Sequence, residues 1–103
     1  MIELARITGF DWDEGNARKN HKHDVSAAEA EQVFFHEPLL LLEDPAHSKS
    51  EPRYHALGKT ADGRLLHVTF TSRAAGTLIR VISARTMHRK ERSIYARQTE
   101  EDS

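Results

Sequence analysis

Four basic side chains lie near the carboxyl end of the chain at spacings that suit phosphate binding. Arg85, His88, Arg89 and Arg92 stand three, four and seven residues from the first of them, so that a helix would carry all four on one face. The apolar segment 78–84 precedes them and predicts a strand that runs directly into this helix. A basic stripe at such a junction could hold phosphate, whereas the alternative is an ordinary solvated helix face.

The residue types needed to cleave RNA without a metal ion also occur elsewhere in the chain. Cleavage through the 2′-hydroxyl of RNA requires a base near that hydroxyl, an acid near the leaving oxygen, and cations around the phosphorane charge. Histidine, lysine and arginine can fill these roles, although each could instead cap a carbonyl or pair with a carboxylate. We predict catalytic roles for His23, Arg64, Arg85 and His88, and phosphate binding by Lys22, Arg80, Arg89 and Arg92.

The chain has seven histidines, but their spacing does not predict a metal site. His21 and His23 would point to different sides of one helix, so they cannot chelate the same ion from it. His55 and His67 fall on neighbouring predicted strands and could pair, although ordinary surface histidines are the simpler interpretation. Glycine patterns for phosphate or dinucleotide binding are also absent from the sequence. We therefore predict neither a metal nor a cofactor.

Length and composition predict one domain, with a core over about residues 6–97 and a frayed tail. The chain has 103 residues, a net charge of −1 and no cysteine, which excludes disulfides and cysteine nucleophiles. The near-neutral charge argues against a protein that coats nucleic acid, but basic residues are concentrated in 18–23 and 85–92. No apolar run approaches the roughly 20 residues of a membrane span. We predict a cytoplasmic protein without a membrane role.

Hydrophobic periodicity predicts an α+β fold with the element order β-α-α-β-β-β-β-α. We expect an antiparallel sheet with the helices on one face or edge, since short connections link the later strands. The second helix should begin with a capping box at Ser26 and Glu29, and Asp24 should take a left-handed conformation before it. The predicted elements are a strand at 7–12, helices at 13–23 and 27–35, strands at 39–42 (buried on both faces), 54–60, 65–72 and 78–84, and a final helix.

Several sequence blocks occur in the order found in the BrnT family of toxins, which this chain resembles over about residues 10–95. Two departures stand out: Asp24 occupies a position that is usually glycine, and Val81 one that is often proline. The blocks are Phe10-Asp11-Trp12-Asp13-Glu14-Gly15-Asn16, Lys22-His23-x-Val25-Ser26, Asp44-Pro45-x-His47-Ser48, Glu51-x-Arg53-Tyr54, Gly58-Lys59-Thr60-x-x-Gly63-Arg64, Phe70-Thr71-x-Arg73, and Ile79-Arg80-x-Ile82-Ser83-Ala84-Arg85 with His88 and Glu91.

The resemblance implies a RelE-like fold and an endoribonuclease toxin of a type II toxin–antitoxin pair that inhibits translation. It also implies a ribbon-helix-helix antitoxin, BrnA, that neutralises the toxin and through which DNA is contacted only indirectly. A homodimer or a toxin–antitoxin heterotetramer would then be expected. Two alternatives are a catalytically degenerate module that only docks the antitoxin or another partner, and a DNA-contacting accessory protein that uses the two basic segments.

Overall fold

Five strands and two α-helices make up the computed structural model, which describes residues 3–13, 24–47 and 51–100. Short 3₁₀ helices occur at Leu4–Arg6, Val33–Phe35 and Pro45–His47. Among the described residues, no helix is long and apolar enough to cross a membrane. The regular elements are β1 (Gly9–Phe10), α1 (Ala27–Gln32), β2 (Leu40–Glu43), β3 (Tyr54–Lys59), β4 (Leu65–Arg73), β5 (Leu78–Thr86) and α2 (Arg89–Glu100).

The sheet has the strand order β1-β5-β4-β3-β2 and is mixed, so the prediction of a wholly antiparallel sheet was wrong. Strands β2 to β5 pair antiparallel in chain order. Short turns at 60–64 and 74–77 reverse the chain direction between β3 and β4 and between β4 and β5. β1 pairs with β5 in parallel, at the edge of the sheet opposite β2. No short turn joins these two strands, and their relative direction is therefore set by tertiary packing.

The start of α1 follows its local sequence closely. The hydroxyl of Ser26 accepts a hydrogen bond from the backbone N–H of Glu29 at 3.1 Å, and the Glu29 carboxylate accepts from the Ser26 N–H at 3.1 Å. This capping box confirms the prediction. Asp24 has φ +57°, which confirms the predicted left-handed residue. By contrast, the predicted first helix at 13–23 lies almost entirely outside the described residues.

The two helices pack on opposite faces of the sheet, not on one face or edge as predicted. On the α1 face, Ala30 and Val33 join a core that includes Val68 and Phe70. On the other face, α2 packs Tyr95 against Leu57, together with Met87, Leu40, Leu65 and Ile94. Each central strand therefore contributes alternate side chains to both faces, as the pleat requires.

Two strand predictions also needed correction. The opening strand covers only Gly9–Phe10 instead of 7–12. β2 is not buried on both faces, because Leu42 is 40% exposed. β2 is an edge strand of the described sheet, which leaves part of its surface uncovered.

The junction after β5 differs most from its prediction. β5 continues to Thr86 and α2 begins only at Arg89, so Arg85 lies on a strand and the single helical stripe of four basic residues does not form. Pairing with β4 extends the strand, since Arg85 lies opposite His67 and Thr86 opposite Leu66. Long-range strand pairing here outweighs the helical spacing of the basic residues.

Candidate active site

A group of polar side chains gathers on the α2 face of the sheet, where β3, β4 and β5 run side by side. Register places His55 opposite Thr69, and His67 opposite both Leu57 and Arg85. Cross-strand partners share a face, and alternate residues along a strand return to it. His55, His67, Thr69 and Arg85 therefore lie on one surface, next to the apolar contact that holds α2.

A bulge in β5 brings a second arginine onto this surface. The register shifts by one residue between Thr69 and Phe70, because Thr69 pairs with Ser83 whereas Phe70 pairs with Val81. In a regular strand, residues 80 and 85 would point to opposite faces. The extra residue restores them to the same face, with Arg80 opposite Thr71.

The two histidines contact each other directly, as their predicted strand positions allowed. Their ring planes are inclined by 25° with centroids 4.9 Å apart, and His67 Nε2 lies 3.0 Å from His55 Nδ1. On the far side, His55 Nε2 lies 2.8 Å from Asp44 Oδ2. The Thr69 hydroxyl is also 3.0 Å from His55 Nδ1. A continuous hydrogen-bonded chain therefore leads from Asp44 through His55 to His67.

His67 has the more strongly perturbed environment of the pair. Burial lowers the pKa of His67 to about 4; the nearby Glu91 carboxylate opposes the shift, whereas Arg85, His55 and His88 add to it. Only 13% of the His67 side chain is exposed. His67 is consequently a neutral imidazole at neutral pH, the form that can accept a proton.

Glu91, in the first turn of α2, completes the group. It accepts two hydrogen bonds from the Arg85 guanidinium, at 2.7 and 2.9 Å, and one from the backbone N–H of His88 at 2.8 Å. Its Oε2 lies 3.6 Å from His67 Nδ1. Burial by itself would raise the pKa of Glu91, but the bonds from Arg85 and His88 outweigh it and lower the pKa to about 2. Glu91 is therefore a firmly ionised anchor for the Arg85 fork.

The other predicted arginines lie apart from His67 or are held by carboxylates of their own. Arg80 is bound by Asp11 at 3.3 Å and by Asp13 at 2.5 Å. Arg64 lies against α1, on the opposite side of the sheet, where its Nη1 donates to Glu29 Oε2 at 3.0 Å. It also donates to the Asp24 carbonyl oxygen at 2.7 Å. The structure therefore does not bring Arg64 to Arg85.

The remaining predicted residues surround the amino-terminal end of α2 or lie outside the described chain. His88 is exposed and immediately precedes the helix, close enough for its charge to affect His67. Arg89 and Arg92 are exposed, and Arg92 Nη1 donates to the Met87 carbonyl at 2.8 Å. The predictions for Lys22 and His23 fall on residues outside the described ranges.

Sequence reasoning missed Asp44 and Glu91 as members of the site, and it interpreted His55 and His67 as ordinary surface histidines that could pair. The alternation of β3 and β4 could have placed both histidines on one face beside Thr69. No local pattern joins Asp44 to them, since that contact depends on strand register. Within residues 3–13, 24–47 and 51–100, no three His, Asp or Glu side chains form a group that could hold a metal ion.

The fold and this surface together define an α+β protein with an acid–base group beside an anchored arginine, a combination suited to phosphodiester chemistry. Residues 12–91 match the family described as "Ribonuclease toxin, BrnT, of type II toxin-antitoxin system". The chain belongs to the BrnT family of ribonuclease toxins, which confirms the resemblance seen in its sequence blocks. A toxin of this type has an antitoxin partner and an RNA substrate.

A solved structure supports the fold. The chain is similar to the 1.1 Å crystal structure of the Brucella abortus ribonuclease toxin BrnT, with a TM-score of 0.57 and 23% sequence identity. The similarity covers 80% of this chain and 99% of that one. A search of curated proteins found no match.

Proposed function

We propose that this protein is an endoribonuclease toxin that cleaves RNA by acid–base chemistry without a metal ion. The observation that supports this most strongly is the neutral, part-buried His67 beside the Arg85 guanidinium. Attack of a 2′-hydroxyl on the adjacent phosphate requires a base and a fixed cation that lie close together. Family membership independently supports the choice of RNA as substrate.

In the proposed reaction, His67 Nδ1 removes the proton from the 2′-hydroxyl and the freed oxygen attacks phosphorus. The bond from phosphorus to the 5′-oxygen breaks, and that oxygen takes a proton from a general acid. The products are a 2′,3′-cyclic phosphate and a 5′-hydroxyl end. Glu91, 3.6 Å from Nδ1, stabilises the imidazolium that forms.

Arg85 stabilises the charge that develops on the phosphorane. Its guanidinium is held in position by two bonds to Glu91, so that it is oriented before substrate arrives. We assign the general acid to His88, which lies at the same end of α2, or to His23. The phosphates of the bound RNA would be held by Lys22, Arg80, Arg89 and Arg92. Arg64 would act indirectly, through its contact with α1.

The proposed toxin activity also implies which partners the protein has. We propose a cytoplasmic toxin that inhibits translation and is neutralised by a ribbon-helix-helix antitoxin of the BrnA type. DNA would be contacted only through that antitoxin, in a toxin homodimer or a toxin–antitoxin heterotetramer. The family description, which places the chain in a type II toxin–antitoxin system, supports a protein antitoxin.

The test is cleavage of an RNA oligonucleotide by the purified protein, with the 2′-deoxy version of the same sequence alongside. We expect cleavage of RNA alone, unchanged by excess EDTA. His67→Asn should lower the rate by about 100-fold or more, and Arg85→Lys by roughly 30-fold, because lysine cannot form the fork. His36→Asn, at a histidine remote from the site, is the matched control.

Several outcomes would overturn the proposal. Cleavage that EDTA abolishes would contradict the metal-independent mechanism, and equal rates for wild type and folded His67→Asn would contradict the assigned base. A folded wild type that cleaves no RNA and leaves growth unimpaired when expressed would favour the catalytically degenerate, antitoxin-docking module.

A further inference from the structure

We propose that Asp44, acting through His55, fixes the tautomer of His67 so that the Nδ1 lone pair is available as a base. Asp44 and His55 are then positioning residues for the catalytic imidazole. This inference rests on the proposed function, since it concerns how His67 is prepared for proton transfer. It adds two residues that neither the sequence patterns nor the family description assigns to the site.

The hydrogen positions follow from the order of the contacts. Asp44 presents a carboxylate oxygen 2.8 Å from His55 Nε2, and a carboxylate can only accept, so Nε2 of His55 carries a hydrogen. In a neutral His55, Nδ1 is then the acceptor. His67 Nε2, 3.0 Å from that atom, must donate to it. A neutral His67 with hydrogen on Nε2 has its lone pair on Nδ1.

The opposite arrangement is less favourable because of the distances at the two ends. With His55 still neutral and hydrogen on His67 Nδ1, both bonds of the chain would reverse, and a lone pair on His55 Nε2 would face the Asp44 carboxylate at 2.8 Å. The compensating contact, from His67 Nδ1 to Glu91, is 3.6 Å long, which is beyond an ordinary hydrogen bond. The shorter contact at Asp44 therefore decides the direction of the chain.

Charged and polar groups reach the histidine pair from every neighbouring element. Thr69 on β4 places its hydroxyl 3.0 Å from His55 Nδ1 and can share that atom's lone pair or donate elsewhere. Arg85 and Glu91 neutralise one another through the two-bond fork. Asp44 is thus the group whose acceptor-only chemistry imposes a direction on the chain.

Asp44→Asn tests this directly because an amide can reverse the direction. The asparagine NH₂ can donate to His55 Nε2, after which His55 Nδ1 donates to His67 Nε2 and the His67 hydrogen moves to Nδ1. The side-chain volume is almost unchanged, and the backbone N–H of residue 44 keeps its 2.9 Å bond to the Arg53 carbonyl. We expect RNA cleavage to fall about 100-fold, as loss of the correct tautomer removes general-base catalysis.

A double-mutant comparison separates the relay from a general structural effect of Asp44. His55→Asn retains an oxygen acceptor near the Nδ1 position but cannot bridge to residue 44. Asp44→Asn should therefore change the rate by less than about threefold in the His55→Asn background. The same 100-fold loss in both backgrounds would show that Asp44 acts by another route. Asp62→Asn, in the exposed turn between β3 and β4, is the control.

Imidazole ¹⁵N NMR gives a readout that does not depend on activity. We expect His67 in the wild type to carry its hydrogen on Nε2, and in folded Asp44→Asn to carry it on Nδ1; a spectrum of His67→Asn assigns the signals. Hydrogen on Nδ1 of wild-type His67, with His55 doubly protonated, would overturn the inference.

The two proposals fail in different ways. If the wild type cleaves RNA and His67→Asn does not, but Asp44→Asn cleaves like the wild type, only the relay is wrong. If the wild type cleaves no RNA, the proposed function is wrong, and the NMR result still decides whether the relay sets the His67 tautomer.

Discussion

Glu91→Gln should reveal how strongly the folded state depends on the carboxylate beneath Arg85. The pKa of Glu91 falls from its ordinary value of 4.5 to about 2 in the fold. This difference corresponds to about 3 kcal/mol of stability at neutral pH. Glutamine keeps the size of the side chain and one oxygen acceptor, so we expect the free energy of unfolding to fall by about 2 kcal/mol.

The sign of the pH dependence follows from the lowered pKa. A carboxylate whose pKa is depressed by folding stabilises the native state above its unfolded pKa, and this contribution is lost as pH falls through the folded value. The difference in the free energy of unfolding between wild type and Glu91→Gln should therefore have its full size above about pH 5. It should shrink steadily from pH 4.5 towards pH 2. Urea denaturation followed by circular dichroism, repeated across this range, measures it.

An exposed carboxylate provides the matched control. Glu3 makes no side-chain capping bond, and Glu3→Gln should change the free energy of unfolding by less than about 0.5 kcal/mol at every pH. A Glu91→Gln effect below about 0.5 kcal/mol at pH 7 would refute the reasoning. So would an effect of constant size between pH 7 and pH 3, because it could not arise from ionisation of the carboxylate.

Two further tests, each with a control substitution, concern the α1 side of the sheet. Gly58→Ala should lower the free energy of unfolding by about 2 kcal/mol, since its new Cβ would lie 2.8 Å from Val33 Cγ1; Gly9→Ala, where the nearest such contact is an ordinary 3.5 Å, should be almost neutral in the same urea titration. Ser26→Ala removes the cap of α1 and should lower the free energy of unfolding by about 1 kcal/mol in the same titration, whereas Ser93→Ala, on the exposed surface of α2, should leave it unchanged.

Short-range signals in the sequence were sufficient for much of the fold. The limits of β3, β4 and β5 agree with the hydrophobic alternation to within one or two residues. The capping box at Ser26 and the left-handed Asp24 were also predicted, because each depends on residues within one helical turn. The family blocks carried the resemblance that the match to the BrnT family confirms.

Predictions that depended on distant parts of the chain were less successful. The parallel direction of β1 and the placement of the two helices on opposite faces required knowledge of tertiary packing. The predicted helix after β5 began too early in the chain. The spacing of its basic residues is typical of a helix, but this spacing cannot show that pairing with β4 extends the strand through Arg85. Local pattern and strand pairing conflicted there, and pairing decided the outcome.

By itself, the sequence determined the membership of the family, the limits of the central strands, and Arg85 as a candidate site residue. Only the tertiary structure decided what surrounds Arg85: the fork to Glu91, and the chain from Asp44 through His55 to His67. The reason is geometric. Hydrogen bonds act over about 3 Å, and residues far apart in the chain reach that distance only when strand register, a bulge and a docked helix are all in place.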